Sequence, residues 1–437
     1  MKKILILTLT LLLSLSLLVS CSADEEDDST HKEGEVVTLN VYNWGEYISD
    51  GFEGAIDSNA EFEKYFNTYL SEKYGGIKIE VNYTTYATNE DMYSKLSSGA
   101  GTYDVICPSD YMIQRMADEG LLYAFGAENL ENYKYIDEDF KGLYYDENNL
   151  YSVPYTYGMV GIIYNYTLMN PEDIDENGEM INKSWAMLWD EDYKGKILQF
   201  NNPRDAFGSA MYYLGLDINS ADEEVWQTAL NKLKEQKPLV QGYVNDEIFN
   251  KMTTGSATLA PYFAGDFVTM LEDNEYLKFY YPKEGTNMFV DGMCIPKNAE
   301  NKELAMEYIN FMLSEEVAVA NALYIGYASP NTLVQNSEEY KEEMGEEVLD
   351  ILYSDVDVNA NYPFDPYYHS FTDTDKYRPD MQAYVNSLWE SLKTESAIEL
   401  WVHIATAVIL LIVIVPAVYS IYIKKKRSRF YRKPAKK

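Results

Sequence analysis

Strand and helix patterns alternate from residue 36 onward, and this alternation restricts the chain to a small set of folds. Apolar and polar side chains alternate as in a strand, then give way to a helical spacing of aromatic residues that ends at Gly75 and Gly76. A βαβαβ order predicts an α/β fold that begins as a doubly wound sheet. The strands are predicted at 36–43, 77–83 and 103–107, and the helices at 60–74 and 89–96.

The length of the chain, 437 residues, exceeds what one hydrophobic core usually serves, so two lobes are expected. An extended apolar stretch at 151–165, with Gly158 and Gly161, is the predicted crossing between them. A later strand is predicted at 288–296, followed by helices at 299–313 and 314–323. The predicted bounds are 36–150 with 288–334 for lobe 1, and 151–287 with 335–396 for lobe 2.

The first 20 residues have the pattern of an export signal. Lys2 and Lys3 precede an apolar run, and small residues lead to Cys21. This pattern resembles a bacterial lipoprotein signal, which would make Cys21 the lipidated first residue after cleavage. The alternative is an ordinary secretory peptide that happens to contain a cysteine. Residues 21–35 are polar and acidic, and they predict a flexible linker.

A second apolar segment, at 400–423, is long enough to cross a bilayer as a helix and is interrupted only by His403 and Pro416. Nine lysines and arginines crowd the tail at 424–437. The positive-inside rule places this tail in the cytoplasm and the binding lobes outside the cell membrane. The membrane is therefore an expected partner.

The charge of the chain is strongly negative, with 71 acidic against 35 basic residues. Because the tail is basic, the body between the two ends is more acidic still. Such a surface excludes nucleic acid as a partner and favours cationic ligands. The alternative is that most of this charge only solvates the surface. Cys107 and Cys294 are predicted at strands, with no disulfide framework.

The sequence contains few of the residues that catalysis needs. His369 is the sole histidine of the predicted body, and no metal-ligand cluster, Gly-x-Ser-x-Gly elbow, phosphate loop or dinucleotide fingerprint occurs. A glycosidase-type carboxylate pair stays open, because acidic residues are so numerous. We therefore predict that the protein is not an enzyme and has no cofactor or metal.

The end of the first predicted strand, residues 41–47, reads VYNWGEY. An open α/β sheet presents its strand ends to ligands, and Trp44, Glu46 and Tyr47 place two aromatic faces beside a carboxylate. This combination suits an organic cation, since an ammonium group binds over aromatic rings and pairs with carboxylates. The alternative reading of Trp44 is a core aromatic at a strand end.

Several segments together resemble the spermidine/putrescine-binding proteins, the substrate-binding components of polyamine ABC importers. They occur in the order and spacing of that family, and the resemblance runs from about residue 38 to 393. The matching stretches are Tyr42-Asn43-Trp44 with Glu46-Tyr47, Asn89-Glu90 with Met92-Tyr93, Tyr103-Asp104-Val105 with Pro108-Ser109, Pro282-Lys283-Glu284-Gly285, and Ile325-Gly326-Tyr327 with Pro330-Asn331.

The resemblance implies a two-lobed periplasmic-binding-protein-like fold of type II, with crossover hinge strands and a ligand cleft that closes. It also implies a polyamine ligand, an ABC permease and an ATPase subunit as partners. The residues that it places at the ligand are Trp44, Glu46, Tyr47, Ser109, Tyr111, Asn202, Asp205, Phe263, Asp266, Phe289, Asp291 and Tyr327.

Within this set, Asp291 matches the main anchor of the family. It stands in an apolar run, and a buried carboxylate needs a cationic partner or hydrogen bonds. Asp205 matches an acid that pairs with a ligand amine, but it follows Arg204, so an ion pair or a helix cap is an open alternative. The alternative for Tyr327 is a packing role in the hydrophobic core.

The sequence departs from the family at four positions. Phe263 and Phe289 stand where Trp is common, Asn202 where spermidine binders often have Asp, and Gly45 where Ser or Thr is common. These departures leave the preferred polyamine open. Asp266, which resembles putrescine-preferring members, and Asn202, which removes a negative charge, favour putrescine over spermidine. The alternative function is a membrane-anchored receptor that uses the same cleft for another small cationic or polar solute.

Overall fold

The computed structural model describes residues 32–220, 222–354 and 379–394, with a few positions between 408 and 425. In these parts of the chain, nine strands form a sheet in the order β2-β1-β3-β9-β4-β7-β5-β6, and β8 pairs with β4. The strands are β1 (Val36–Trp44), β2 (Lys78–Tyr86), β3 (Val105–Ile106), β4 (Ser152–Asn165), β5 (Ile197–Phe200), β6 (Val240–Val244), β7 (Leu259–Phe263), β8 (Leu277–Tyr280) and β9 (Met288–Cys294).

Helices cover both faces of this system, joined by short 3-10 turns. In chain order they are α1 (Ser58–Tyr65), α2 (Asn89–Ser97), α3 (Asp110–Asp118), α4 (Pro203–Leu214), α5 (Glu223–Gln236), α6 (Glu247–Thr253), α7 (Ala264–Asp273), α8 (Lys302–Met312), α9 (Glu315–Ile325), α10 (Thr332–Asn336), α11 (Glu338–Met344), α12 (Glu346–Leu352) and α13 (Pro379–Thr394).

β4 joins two halves of the molecule. All of its 14 residues are buried. Its first part, up to Met159, pairs with β9, and its second part, from Val160 onward, pairs with β7 and β8. β1, β2 and β3 belong with the first part, and β5 and β6 with the second. The two-lobed α/β fold predicted from the sequence is confirmed, and the extended stretch at 151–165 is β4.

Two large clusters of buried side chains form the core, and the second spans both halves, since it includes Ile106 of β3 as well as Ile197 of β5. In the first, Leu39 of β1 packs with Phe62 and Phe66 below the sheet. In the second, α5 buries Trp226 and Leu230, which recur at helical spacing on the face toward α4. The predicted bounds of the lobes remain predictions.

The predicted helix at 60–74 is wrong in its second half. α1 ends at Tyr65, a π-helical turn covers Phe66–Leu70, and a 3-10 turn follows at Ser71–Tyr74. The side chain of Asn67 bonds both the N–H (2.9 Å) and the C=O (3.3 Å) of Ile79 in β2. These bonds fix the side of the helix against β2, and a π-turn accommodates them.

Helix α13 packs on the second half of the molecule. Trp389 lies beside Phe207 and Tyr243, with ring centroids 6.5 and 5.5 Å away. The Lys393 ammonium donates to Asn201 Oδ1 at 2.7 Å. This helix therefore belongs to the folded body.

None of the helices in the described parts of the chain combines the length and hydrophobicity that a bilayer crossing needs. The predicted signal at 1–20, Cys21, the linker up to residue 31 and most of the predicted membrane helix at 400–423 lie outside the described residues.

Candidate functional site

The carboxyl ends of two parallel strands build one wall of a cleft. β1 and β3 are parallel neighbours, so their carboxyl ends share one edge of the sheet. Trp44 ends β1, and Tyr47 follows in the next turn. The loop after β3 leads to Ser109 and Tyr111, where α3 begins. The fold therefore brings four of the predicted site residues to the same edge.

β9 adds two further side chains beside this edge. Phe289 and Asp291 are two residues apart, so they point to the same face of the strand. The backbone of Asp291 forms a bridge to Ser109, and the Gly292 N–H donates to the Pro108 carbonyl at 3.0 Å. These bonds hold β9 against the loop after β3.

Asp291 is a buried carboxylate at the centre of the cleft, with 4% of its surface exposed. The Tyr47 hydroxyl donates to its Oδ2 at 2.5 Å, and the same hydroxyl lies 2.6 Å from Thr156 Oγ1. Oδ1 has no hydrogen-bond partner among the described residues. Burial raises the pKa of Asp291 to about 6, and the nearby hydroxyls of Ser109 and Tyr47 oppose that rise. Oδ1 can therefore accept a further hydrogen bond.

Four aromatic rings form a continuous wall next to Asp291. The ring of Tyr327 lies 5.7 Å from Tyr47 and 5.9 Å from Phe289, centroid to centroid, and Phe289 lies 5.3 Å from Phe263. Interplanar angles between 64° and 75° make these edge-to-face contacts, the preferred geometry of aromatic pairs. The wall offers apolar surface and ring faces to a ligand in the cleft.

A second carboxylate lies at the other side of this wall. Phe263 ends β7, and Asp266 follows in the first turn of α7. The Tyr327 hydroxyl donates to Asp266 Oδ2 at 3.1 Å. Burial raises the pKa of Asp266 to about 7 against this hydrogen bond. A Cβ on Gly265 would lie 2.1 Å from the Tyr327 ring, so the close approach of α7 to Tyr327 requires glycine there.

Asn202 and Asp205 form the start of α4. Asn202 is the N-cap: its side-chain oxygen accepts from the Asp205 N–H at 2.8 Å, and its side-chain nitrogen donates to Asp205 Oδ2 at 2.9 Å. Burial raises the pKa of Asp205, and Arg204 and Asn202 lower it. The alternative of Asp205 as the helix cap is therefore wrong: Asn202 is the capping residue, and Asp205 stands in the first turn and bonds to it.

Trp44 and Glu46 differ in where they point. The Trp44 ring packs at 4.6 Å from the Tyr86 ring, and its indole N–H has no partner in the described chain. Glu46 has a φ of 51° and an exposed side chain that accepts from the Tyr324 hydroxyl at 2.9 Å. The structure does not bring Glu46 to the Asp291 carboxylate.

Three residues of this region were not among the predicted site residues. Thr156 bonds Tyr47 from β4, Asp110 accepts from the Val290 N–H at 3.2 Å, and Arg204 stacks on Tyr111. Asp110 stands beside the predicted Ser109, which was a usable signal. Arg204 likewise stands beside the predicted Asp205, whereas Thr156 reaches the site only through the fold, and no local pattern marks it.

The chemistry of the cleft is that of cation binding. Two carboxylates with pKa values raised by burial face a wall of rings, and the described residues contain no metal-ligand cluster. A bound ammonium would offset the cost of keeping these carboxylates ionised away from water.

Comparison with known proteins agrees with this geometry. Residues 60–345 match the family of bacterial extracellular solute-binding proteins. The spermidine/putrescine-binding periplasmic protein of Escherichia coli (strain K12) is 33% identical over 295 residues, covering 67% of this chain and 78% of that protein. The corresponding protein 1 of Haemophilus influenzae is 30% identical over 328 residues, covering 74% and 82%.

A solved structure is also similar to this chain. The crystal structure of the spermidine/putrescine ABC transporter substrate-binding protein from Streptococcus pneumoniae superposes with a TM-score of 0.62 at 31% identity, covering 82% of this chain and 98% of that one. The resemblance found in the sequence is confirmed. The chain belongs to the bacterial extracellular solute-binding proteins and, within them, to the spermidine/putrescine-binding family.

Proposed function

We propose that the protein binds a polyamine outside the cytoplasm and delivers it to an ABC-type importer by closure of its cleft. The observation that carries this proposal is Asp291. It is a buried carboxylate with one unpaired oxygen among the described residues, next to a wall of four aromatic rings. An unpaired buried charge is costly, so this arrangement calls for a cationic ligand.

A polyamine fits both kinds of surface in the cleft. Its ammonium groups need anionic acceptors, and its methylene chain prefers apolar and aromatic surface. Asp291 and Asp266 would pair with the ammonium groups at the two ends of the ligand. Tyr47, Tyr327 and Phe289 would cover the methylene chain between these groups. An ammonium over a ring gains about 0.5 to 2 kcal/mol, and the gain rises as closure excludes water. The relatives named above for spermidine and putrescine support this ligand class.

The preferred ligand that we propose is putrescine. Asp266 supplies a second carboxylate beside the aromatic wall, and Asn202 places a neutral amide where an additional acid would favour a triamine. Phe263 and Phe289 supply weaker ring faces than Trp would. A short diamine needs fewer such faces than a longer polyamine.

Closure of the two lobes would complete the site. Trp44, Tyr47 and Asp291 belong with the first half of the molecule, and Asp266 with the second. A ligand that pairs with both carboxylates stabilises the closed form over the open form. The permease would recognise that form, and a separate ATPase subunit would hydrolyse ATP. We keep 36–150 with 288–334, and 151–287 with 335–396, as the proposed lobes.

The ends of the chain are proposed as membrane anchors. Residues 1–20 would act as an export signal, Cys21 would carry lipid, and 400–423 would cross the membrane with the tail at 424–437 in the cytoplasm. These anchors would keep the binding lobes near the permease and raise their effective concentration there.

A thermal-shift series with the purified full-length protein tests the ligand class. A ligand that binds only the folded state raises the melting temperature. Putrescine, cadaverine, spermidine and spermine are compared with neutral sugars and amino acids at equal concentration and ionic strength. The proposal expects a shift with polyamines alone. A shift with a sugar or a neutral amino acid, and none with any polyamine, would refute it.

A further inference from the structure

The strand β4, which joins the two halves of the molecule, has an extra residue beside Asp291. Pro154 pairs with Gly292 of β9, but Thr156 rather than Tyr155 pairs with Asp291, so the register shifts by one residue as in a β-bulge. Residues directly opposite each other on antiparallel strands point to the same face of the sheet. The bulge therefore places the Thr156 side chain on the same face as the Asp291 carboxylate.

Two consecutive residues of β4, Tyr155 and Thr156, hold Tyr47. The Tyr155 hydroxyl donates to the Tyr47 carbonyl oxygen at 3.2 Å, and the two rings lie edge to face with their centroids 6.0 Å apart. Thr156 Oγ1 lies 2.6 Å from the hydroxyl oxygen of Tyr47. All three side chains are buried. β4 therefore fixes Tyr47 both at its backbone and at its hydroxyl group.

The direction of the hydrogen bonds at Tyr47 follows from the number of protons. A tyrosine hydroxyl has one proton, and Tyr47 donates it to Asp291 Oδ2 at 2.5 Å. An ionised carboxylate can only accept hydrogen bonds. The contact between Thr156 and Tyr47 therefore requires the Thr156 hydroxyl to be the donor. The hydrogen bonds run from Thr156 through Tyr47 to Oδ2, and Oδ1 can accept from a ligand ammonium.

We propose that Thr156 is a positioning residue for polyamine binding: its hydroxyl keeps the Tyr47 proton on Asp291 Oδ2 and so favours the ionised carboxylate that pairs with the ligand. The inference rests on the proposed function. Hydrogen bonds in a chain polarise one another, so a hydroxyl that accepts a bond becomes a stronger donor. The Tyr47 hydroxyl lowers the pKa of Asp291 against the effect of burial. Loss of the Thr156 hydroxyl should therefore raise that pKa.

Other titratable groups also lie around Asp291 and Tyr47. They are Cys107, Tyr86, Tyr327 and Asp110, and Arg204 faces Asp110. Burial raises the pKa of the thiol and of both phenols, so these three groups stay neutral between about pH 5.5 and 8. Asp110 and Asp266, each with a pKa of about 7, titrate in that range. Both are present in every variant, so their effect cancels when a variant is compared with wild type at the same pH.

The test measures the putrescine affinity of full-length variants by calorimetric titration between about pH 5.5 and 8. Thr156→Val removes the hydroxyl and keeps the shape of the side chain. Thr156→Ala and Thr156→Ser differ only in a hydroxyl, so this pair gives the same comparison if the valine variant does not fold. The control is Thr286→Val, because Thr286 is also buried and its hydroxyl donates to the Val160 carbonyl of β4. Circular dichroism confirms that each variant is folded.

The measured quantity is the ratio of variant to wild-type affinity at each pH, which a general loss of structure would not make pH-dependent. For Thr156→Val and Thr156→Ala, the ratio should be about threefold lower at about pH 5.5 than at about pH 8, because more of Asp291 is protonated. Thr156→Ser and Thr286→Val should give a constant ratio. With Tyr47→Phe already present, Thr156→Val should add no further pH dependence, because Thr156 acts through the Tyr47 hydroxyl.

Three results would overturn the role of Thr156 alone. They are a constant ratio in the variants that lack its hydroxyl, the same pH dependence in Thr286→Val, and an undiminished effect of Thr156→Val when Tyr47 is replaced by Phe. A folded wild-type protein that binds no polyamine at any of these pH values would overturn the proposed function and, with it, this role.

Discussion

Replacing Asp291 with asparagine removes the central charge of the cleft while preserving its shape. The amide oxygen of the substituted side chain would still accept from the Tyr47 hydroxyl, which lies 2.5 Å from Oδ2 in the wild-type protein. A ligand ammonium would lose its buried ionic partner. Truncating one partner of a buried, hydrogen-bonded charge pair costs about 2 to 5 kcal/mol. At about 1.4 kcal/mol per tenfold, putrescine affinity should fall by roughly 30-fold to several thousand-fold.

The folded state should tolerate the same change. Burial raises the pKa of Asp291 to about 6, above the ordinary carboxyl value of 3.8, so the ionised group destabilises the empty protein at neutral pH. Asp291→Asn should therefore unfold at the same or a higher urea concentration than wild type at pH ~7.5. A loss of both affinity and stability would show that Asp291 is a structural residue.

The matched control for this experiment is Asp173→Asn. Asp173 Oδ2 also accepts from a tyrosine hydroxyl at 2.5 Å, that of Tyr193, but outside the cleft. Both variants are titrated with putrescine by calorimetry at constant pH and salt. Asp173→Asn should bind as wild type does. Nearly wild-type affinity of Asp291→Asn, or an equal loss of affinity in the two variants, would contradict a role of the Asp291 charge in binding.

Three further predictions concern the pH dependence of stability and binding, the packing around Tyr327, and helix α13. Burial raises the pKa of Asp291 to about 6 and that of Asp266 to about 7, so the folded state holds these protons more tightly than the unfolded state. In urea unfolding, the stability of the empty protein should therefore fall from about pH 4 to about pH 7. In calorimetric titrations, polyamine affinity should rise over the same range, because the carboxylates become ionised. Gly265→Ala should weaken polyamine binding by about tenfold or more, because the new Cβ would meet the Tyr327 ring, whereas Gly208→Ala, with open space around it, should bind normally in the same titration. Trp389→Ala should lower the free energy of unfolding by about 3 to 5 kcal/mol in urea titrations while the binding stoichiometry stays unchanged.

The sequence predicted those parts of the fold that depend on short-range pattern. β4 was recognisable because its long, largely apolar run leaves no polar face for solvent, as in a strand that is covered on both sides. The strand at 103–107 was predicted too long: β3 covers only Val105–Ile106. Asp104 explains the difference, since its carboxylate accepts from the Asn40 N–H at 2.9 Å and from the Asn301 N–H at 2.8 Å. No local pattern reveals partners so far along the chain.

The candidate site was predictable residue by residue only through the family resemblance. Tyr47, Asp291 and Tyr327 do meet, although they are far apart in sequence. Glu46 stands next to Tyr47 but turns to the surface, because its φ of 51° reverses the chain direction there. Periodicity cannot detect such a turn. The contact of Arg204 with Tyr111 depends on how the two lobes face one another, which the sequence does not encode locally.

The most direct test of polyamine binding is a calorimetric titration of the purified full-length protein with putrescine and with spermidine at moderate salt. If the cleft acts through Asp291 and Asp266, putrescine binds one to one, with proton release that grows as the pH falls toward about 6. If a folded sample binds neither polyamine at any pH between about 6 and about 8, the claim that these buried carboxylates bind polyamine ammonium groups is contradicted.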